Sequence, residues 1–327
     1  ARCVSVGTGG PDPEEFPRFT RLRLHPPQGD TLRVEAVIDG PSLAAHAEIA
    51  LTPGDVTRTA VAVTLFPRRD IADIGIAPLT SMYLKGPLRA AVSDDFRPRV
   101  HDSAVLAMRN GAGEALWRPI ANPARLQMSA FGDNGPRGFG LYQRPRAFAD
   151  YQDAEAAYHR RPSATVTPRG DWGPGAIMLV EIPAGDEFMD NIVAFWRPAA
   201  PLRAGGAYRY AYDIAWHDDA PATDTPAGIL QTRAGRQHDM PGTLRYVVDF
   251  AGVPDGAAMD LTASVPGVLS GQALSPLPGA GRRRASFLLS PGDAAAVELR
   301  LALRTASGLA LSPIWLHRWT PARDGGV

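Results

Sequence analysis

The sequence has little lysine and cysteine and no excess of either charge. Lys85 is the only lysine, and we interpret the preference for arginine as a compositional bias rather than a functional signal. Lys+Arg and Asp+Glu both number 34, which gives a formal net charge of +0. This balance excludes a strong electrostatic attraction to nucleic acid or to an anionic membrane surface. Cys3 is the only cysteine, so an intrachain disulfide and a cysteine-based metal site are both excluded.

Long apolar runs and metal-ligand spacings are missing as well. No segment approaches the roughly 20 apolar residues of a membrane-spanning helix, so we expect no membrane insertion. The seven histidines are scattered, without an HxH or HExxH spacing, so we predict no metal site and no cofactor. The first ten residues, ARCVSVGTGG, read like the interior of a strand and its turn, and we expect the natural chain to begin upstream.

Glycine and proline, by contrast, are frequent, with 33 and 31 residues, and they interrupt short apolar stretches throughout. This punctuation predicts an all-β protein built from many short strands. Apolar residues alternate in TLRVEAVIDG (31–40) and AYRYAYDIAW (207–216), as in half-buried strands. Further strands are predicted at 59–66, 175–183, 192–196, 243–250, 284–290 and 296–304.

Two segments favour a helix instead. The segment DYQDAEAAYHRR (150–161) ends before Pro162, and a helix there would place Tyr158 and Arg161 on one face. The alanine-rich segment PSLAAHAEIAL (41–51) is ambiguous, because alanine favours helix only weakly.

The chain divides at an acidic linker, HDDAPATDTPAG (217–228), which has no apolar period. Residues 1–216 before it form the predicted large domain. Residues 229–327 have the size and strand spacing of an immunoglobulin-like sandwich.

A group of acids precedes a predicted buried strand in GDEFMDNIVAFW (185–196). They are either a polar turn or a functional group, and the residues alone leave both readings open. If the strand begins near Asp190, its carboxyl shares a face with Ile192, Ala194 and Trp196. An acid held on such an apolar face would stay protonated more readily, as a general acid requires.

A second candidate lies in DDFRPRVHDSAVL (94–106), which contains His101, Asp102 and Ser103. The structural alternative is an Asx turn in which Asp102 bonds nearby backbone and His101 is incidental. A catalytic triad made of these three neighbours is not expected, because adjacent side chains do not converge. Trp117 and Trp172 are either core residues or rings that cover sugar faces in a cleft beside these acids.

Seven segments then follow one another in a specific order: IGIAPLTSMYL (74–84), DDFRPRVHDS (94–103), LWRPIANP (116–123), NGPRGFGLYQR (134–144), YQDAEAAYHRRPS (151–163), GDWGPGAIMLVEIP (170–183) and DNIVAFW (190–196). Together they closely resemble the osmoregulated periplasmic glucan biosynthesis proteins G and D. The resemblance is dense up to Trp196 and looser after the linker.

The resemblance implies a galactose-mutarotase-like β-sandwich followed by a small immunoglobulin-like β-sandwich. It implies a periplasmic location and action on β-1,2-glucan, either as an inverting endo-β-1,2-glucanase or as a non-catalytic protein that holds glucan during backbone synthesis or branching. It also makes the inner-membrane glucan synthase a candidate partner and leaves a homodimer open. In this family the large domain begins upstream, so N-terminal strands are expected to be missing and apolar inner faces to be exposed.

Residue roles follow from the matching motifs. Asp190 takes the place of the general acid and Asp102 that of the proposed general base. Glu187, Tyr158 and Arg161 match cleft residues near the scissile sugar. The chain departs from the family at Met189, where asparagine is frequent, and at Lys85, where an aromatic is common.

Overall fold

Strands form nearly all of the regular structure in the computed structural model, which describes residues 1–88 and 95–321. The alternating segments form the strands Leu32–Asp39 and Tyr208–His217. The strand predicted to follow the group of acids is observed at Ile192–Pro198. The all-β prediction and the β-sandwich class are therefore confirmed.

The large domain is a sandwich of two antiparallel sheets with a small hairpin at one end. Five strands form one sheet in the order β1-β6-β15-β14-β11, and nine form the other in the order β10-β9-β12-β13-β16-β5-β4-β3-β2. Apolar residues from both sheets meet in one core, while β7 and β8 pair with each other. The strands are β1 (Val4–Val6), β2 (Arg18–Leu24), β3 (Leu32–Asp39), β4 (Leu43–Thr52), β5 (Thr57–Pro67), β6 (Ile74–Ser81), β7 (Tyr83–Lys85), β8 (Val100–His101), β9 (Val105–Arg109), β10 (Ala115–Pro119), β11 (Gln127–Asn134), β12 (Gly138–Tyr142), β13 (Ser163–Arg169), β14 (Pro174–Glu181), β15 (Ile192–Pro198) and β16 (Tyr208–His217).

Both helix expectations are corrected by the structure. Segment 150–161 contains only the 3-10 turn Tyr158–Arg160, after a second such turn at Phe148–Asp150. A helix is interrupted because Ala157 has a left-handed backbone, with φ of 50°. Segment 41–51 is largely strand β4, which pairs on both sides with β3 and β5. Sheet pairing thus overrides the weak helix preference of alanine.

The C-terminal domain is a second sandwich, and it shares a sheet with the first. Its seven strands form a four-stranded sheet, β17-β18-β21-β20, and a three-stranded one, β19-β22-β23. Strand β23 pairs in parallel with β10, so that Trp117 lies opposite Trp315 and the sheet continues through both domains as twelve strands. The strands are β17 (Gly228–Arg236), β18 (Leu244–Ala251), β19 (Ala258–Ala263), β20 (Leu269–Pro276), β21 (Arg283–Leu289), β22 (Val297–Arg304) and β23 (Ile314–Trp319).

Apolar side chains are exposed along β2, the edge strand of the twelve-stranded sheet. Phe19 and Leu22 lie opposite Ile38 and Ala36, whose side chains enter the core, yet they are 50% and 56% exposed. The inner face of this sheet therefore extends beyond the five strands that cover it. No helix within the described ranges has the length and apolar character needed to cross a membrane.

The exposed position of β2 predicts that substitutions on this strand have little effect on stability. Leu22→Ala should change the free energy of unfolding of this chain by less than about 0.5 kcal/mol, because the side chain is exposed. The control Ile38→Ala, on the same face but 1% exposed, should cost about 2–5 kcal/mol. Chemical denaturation of both variants measures the difference. Equal losses would mean that β2 is covered in solution.

Candidate active site

The acids of interest lie on the loop of residues 183–190, here called the acid loop, which joins β14 to β15. Asn122 holds its beginning, since its amide donates to the Ala184 carbonyl at 2.7 Å and accepts from the Ala184 N–H at 2.9 Å. Asn191 holds its end, donating to the carbonyls of Tyr83 at 3.0 Å and Ile182 at 2.9 Å. The Tyr83 N–H donates back to Asn191 Oδ1 at 2.8 Å. Both ends of the loop are thereby fixed to the sandwich.

The three acids of this loop have three different environments. Asp186 accepts the Phe188 N–H at 3.0 Å and so closes a turn within the loop. Glu187 Oε2 accepts the Tyr158 hydroxyl at 2.9 Å and contacts Arg97 Nη1 at 2.8 Å. Asp190 is exposed and makes no hydrogen bond or ion pair in the described part of the chain. The strand begins at Ile192, after Asp190, so the prediction that Asp190 lies on an apolar strand face is wrong.

Arg97 connects the acid loop to two other segments. It forms a bidentate salt bridge with Asp95, in which Nη2 lies 2.8 Å from Oδ2. It also donates to Asp153 Oδ2 at 2.8 Å. The pKa of Arg97 is raised above its ordinary value, first by the hydrogen bonds to Asp95 and then by the contacts with Asp153 and Glu187. We call these four residues the Arg97 cluster. Lys85, one of the departures from the family pattern, donates to the Asp95 carbonyl at 2.9 Å.

Segment 150–161 brings Tyr158 and Arg161 together at this site. Asp153 Oδ1 accepts two backbone N–H groups at its start, from Glu155 at 2.9 Å and Ala156 at 2.8 Å. Burial, and then the hydrogen bond to Glu187, raises the pKa of Tyr158. The Arg161 guanidinium lies 5.5 Å from the centre of the Tyr158 ring. The two side chains are therefore neighbours through a turn, although the predicted helix is absent.

Asp102 faces the same region from the end of β8. Its Oδ1 lies 3.3 Å from Arg161 Nε, within ion-pair range but not aligned as a hydrogen bond. Burial raises the pKa of Asp102; Arg161 opposes this shift and the nearby charge of Asp190 adds to it. The desolvation expected of Asp190 therefore falls on Asp102, and the charge of Asp190 is a smaller contribution to the raised pKa of Asp102. No Asx turn forms at Asp102, because its side chain accepts no backbone N–H among the described residues.

His101 supports the site from within the core. Burial lowers the pKa of His101 to about 3, so the ring is neutral at physiological pH. The ring stacks on Tyr83 at 4.9 Å, and its Nδ1 lies 2.8 Å from Gln143 Oε1. Gln143 Nε2 donates to the carbonyls of His101 and Tyr158, at 2.5 Å and 2.8 Å. His101 is therefore a structural residue that fixes Tyr158 through Gln143.

The two tryptophans predicted as sugar contacts are core residues. Trp117 is 5% exposed and packs with residues of the C-terminal domain. Trp172 is 6% exposed and meets Tyr210 and Tyr212 edge-on inside the large sandwich. Rings buried to this extent cannot cover the face of a sugar in an open cleft, so this part of the predicted site is corrected. Across residues 1–88 and 95–321, no group of His, Cys, Asp or Glu is arranged to hold a metal ion.

Several residues that build the site were not predicted from the sequence. They are Arg97, Asn122, Gln143 and Asn191. All four lie inside the seven segments quoted above, but their hydrogen bonds reach backbone or acids far away in the chain. The only sequence signal for these site residues is that each is a polar residue inside one of those segments. Its partner could be identified only from the fold.

Comparison with known proteins identifies the sequence group. A family model described as "Periplasmic glucan biosynthesis protein, MdoG" matches residues 1–319. Glucans biosynthesis protein G of Vibrio cholerae serotype O1 is 42% identical over 98% of this chain. Glucans biosynthesis protein G 1 of Shewanella oneidensis is also 42% identical over 98% of the chain. The chain spans 60% of the length of each of these relatives.

The Arg97 cluster yields a prediction about stability. Arg97→Gln should lower the free energy of unfolding by roughly 1.5–3 kcal/mol, because three carboxylates lose a charged donor and repel one another. Arg304→Gln is the matched control, since Arg304 pairs with Asp260 at 2.7 Å on the surface and should contribute less than about 1 kcal/mol. Urea denaturation of both variants provides the measurement. Equal effects would show that the Arg97 cluster does not constrain these segments.

The buried carboxyl yields a prediction about pH. The folded pKa of Asp102 is raised, so its ionised form disfavours the folded state. This penalty is absent below the ordinary pKa of about 3.9, grows as pH rises, and is complete above the raised pKa. Asp102→Asn should therefore raise Tm at pH 7, and the gain should shrink toward pH 4. A gain that instead grows on acidification would contradict the assignment.

Proposed function

Because the chain belongs to the MdoG family of periplasmic glucan biosynthesis proteins, we propose that it acts in the periplasm on β-1,2-linked glucan and cleaves it with inversion at the anomeric carbon. The observation that carries this proposal is the half-buried Asp102 carboxyl, which is paired with Arg161 and influenced by the charge of Asp190, on the same side of the sandwich as the bonded pair of Glu187 and Tyr158. Inverting hydrolysis needs two such carboxyls, one on each side of the scissile bond.

In the proposed reaction Asp190 is the general acid. It gives its proton to the glycosidic oxygen as the bond from that oxygen to the anomeric carbon breaks. Asp190 is exposed in the free protein, so its carboxyl is accessible to a bound sugar chain. The freed oxygen leaves as a hydroxyl of the departing chain.

Asp102 is the proposed general base. A water molecule attacks the anomeric carbon from the opposite face, and its proton passes to Asp102 directly or through a second water. The raised pKa of Asp102 supports this role, because a base is more effective when its pKa lies closer to the working pH. Arg161, at 3.3 Å, would hold the carboxylate in place.

The remaining residues are proposed to bind the sugar. Glu187 is held between Arg97 and the Tyr158 hydroxyl, which keeps it oriented as an acceptor of sugar hydroxyl groups. The ring of Tyr158 is buried, so its contribution is limited to the hydroxyl end. Interaction with the inner-membrane synthase and homodimer formation stay predictions.

The alternative is a protein that holds glucan without cleaving it. The Arg161 contact favours this alternative, because a guanidinium beside Asp102 opposes uptake of a proton. A binder would retain affinity for β-1,2-glucan but would release no shorter products. Incubation of the purified protein with linear β-1,2-glucan distinguishes the two, and inversion would give products that are initially α-anomers.

Asp190→Asn tests the assignment of the acid. The variant should lose cleavage by roughly 10²–10⁴-fold, because asparagine cannot deliver a proton, while the fold and glucan binding persist. Asp186→Asn, on the same loop, is the matched control: it retains the oxygen that accepts the Phe188 N–H and should keep its activity. Reducing-end release from β-1,2-glucan is the measurement.

Two outcomes would overturn this assignment. Full activity of Asp190→Asn would exclude Asp190 as the acid. Equal loss in Asp190→Asn and Asp186→Asn would show that the loop needs its negative charge, rather than a proton donor at one position.

A further inference from the structure

We propose that Phe96 and Phe188 form an aromatic subsite that holds a pyranose ring of the glucan beside the acid loop. This inference rests on the proposed function and adds a binding position to it. Phe188 is 90% exposed and Phe96 is 80% exposed, which makes them the two most exposed large apolar side chains in the described residues. In the sequence Phe96 precedes Arg97 and Phe188 follows Glu187, and these two neighbours form an ion pair at 2.8 Å.

Both rings are carried by fixed backbone. The Phe188 N–H donates to Asp186 Oδ1 at 3.0 Å, within a loop whose ends are bound by Asn122 and Asn191. The segment that carries Phe96 is fixed by its neighbours: the Arg97 N–H donates to Asp95 Oδ1 at 2.9 Å. The exposure of these rings therefore comes from ordered turns, which lowers the entropic cost of presenting them to a ligand.

A sugar ring has the chemistry that such a place would recognise. The axial C–H groups of a β-glucopyranose form an apolar face that covers an aromatic ring, while its edge carries hydroxyl groups. Glu187 and Arg97, whose side chains lie 2.8 Å apart, would supply an acceptor and a donor for those hydroxyls. Met189, which follows Phe188 on the acid loop, is also an exposed apolar side chain, at 42%.

A second copy of this chain is a weaker candidate for the same surface. Two aromatic side chains bury roughly 300–500 Å² when fully covered. A stable interface between proteins needs at least about 1,200 Å² in total. The exposed rings alone thus suffice for one or two sugar units but not for a dimer.

The test uses Asp190→Asn as the parent, so that glucan binds without being cleaved. Calorimetric titration with β-1,2-glucan should show affinity roughly 3- to 10-fold weaker when Phe188→Ser or Phe96→Ser is added to the parent. Phe188→Tyr should restore binding, because it keeps the ring. The control is Phe66→Ser, which removes a phenylalanine that is 45% exposed on a strand of the other sheet and should leave affinity unchanged.

Each outcome decides between the claims. If the parent binds glucan and both serine variants bind as tightly, the aromatic subsite is refuted while the proposed function stands. If the parent does not bind glucan at all, the proposed function fails and the subsite fails with it. If Phe188→Ser instead converts a dimer to a monomer in size-exclusion chromatography, the rings belong to an interface between copies and the inference is overturned.

Discussion

The candidate site depends on one guanidinium, that of Arg97, shared by three carboxylates. Asp95, Asp153 and Glu187 come from segments that are distant in sequence, and without a cation they would repel each other in a partly desolvated place. Arg97 makes their approach favourable and fixes the direction of each carboxylate through its planar fork. The acid loop and the turn that carries Tyr158 are ordered against each other for this reason.

The sandwich supplies the rigid base for this arrangement. The buried ion pair of Arg118 and Glu181 joins the two sheets at the end of β14, just before the acid loop, and Glu181 also accepts the Ala121 N–H at 2.9 Å. Next to it, Asn122 and Asn191 use side-chain amides to satisfy loop backbone that no strand can pair with. Asp190 can therefore be exposed and unpaired while its position stays defined.

Local pattern predicts the strands, including the one that follows the acids, because alternation and glycine–proline punctuation are short-range signals. It failed where long-range contacts decide. The segment around Asp153 resembles a helix, but its backbone is held by an acid bonded to Arg97. Desolvation was expected at Asp190 and occurs at Asp102, since burial depends on neighbours from other strands. Trp117 is a core residue because β10 pairs with β23, a contact between distant segments that local pattern does not reveal.

The most direct test of the account is a crystal structure of Asp190→Asn with a bound β-1,2-linked glucan oligosaccharide. The account predicts that a glycosidic oxygen lies within hydrogen-bond distance of the residue 190 side chain. It also predicts a water molecule, in contact with Asp102 or with a water bound to it, on the opposite face of the anomeric carbon. An oligosaccharide bound away from the acid loop, or one with no room for water on the Asp102 side, would contradict it.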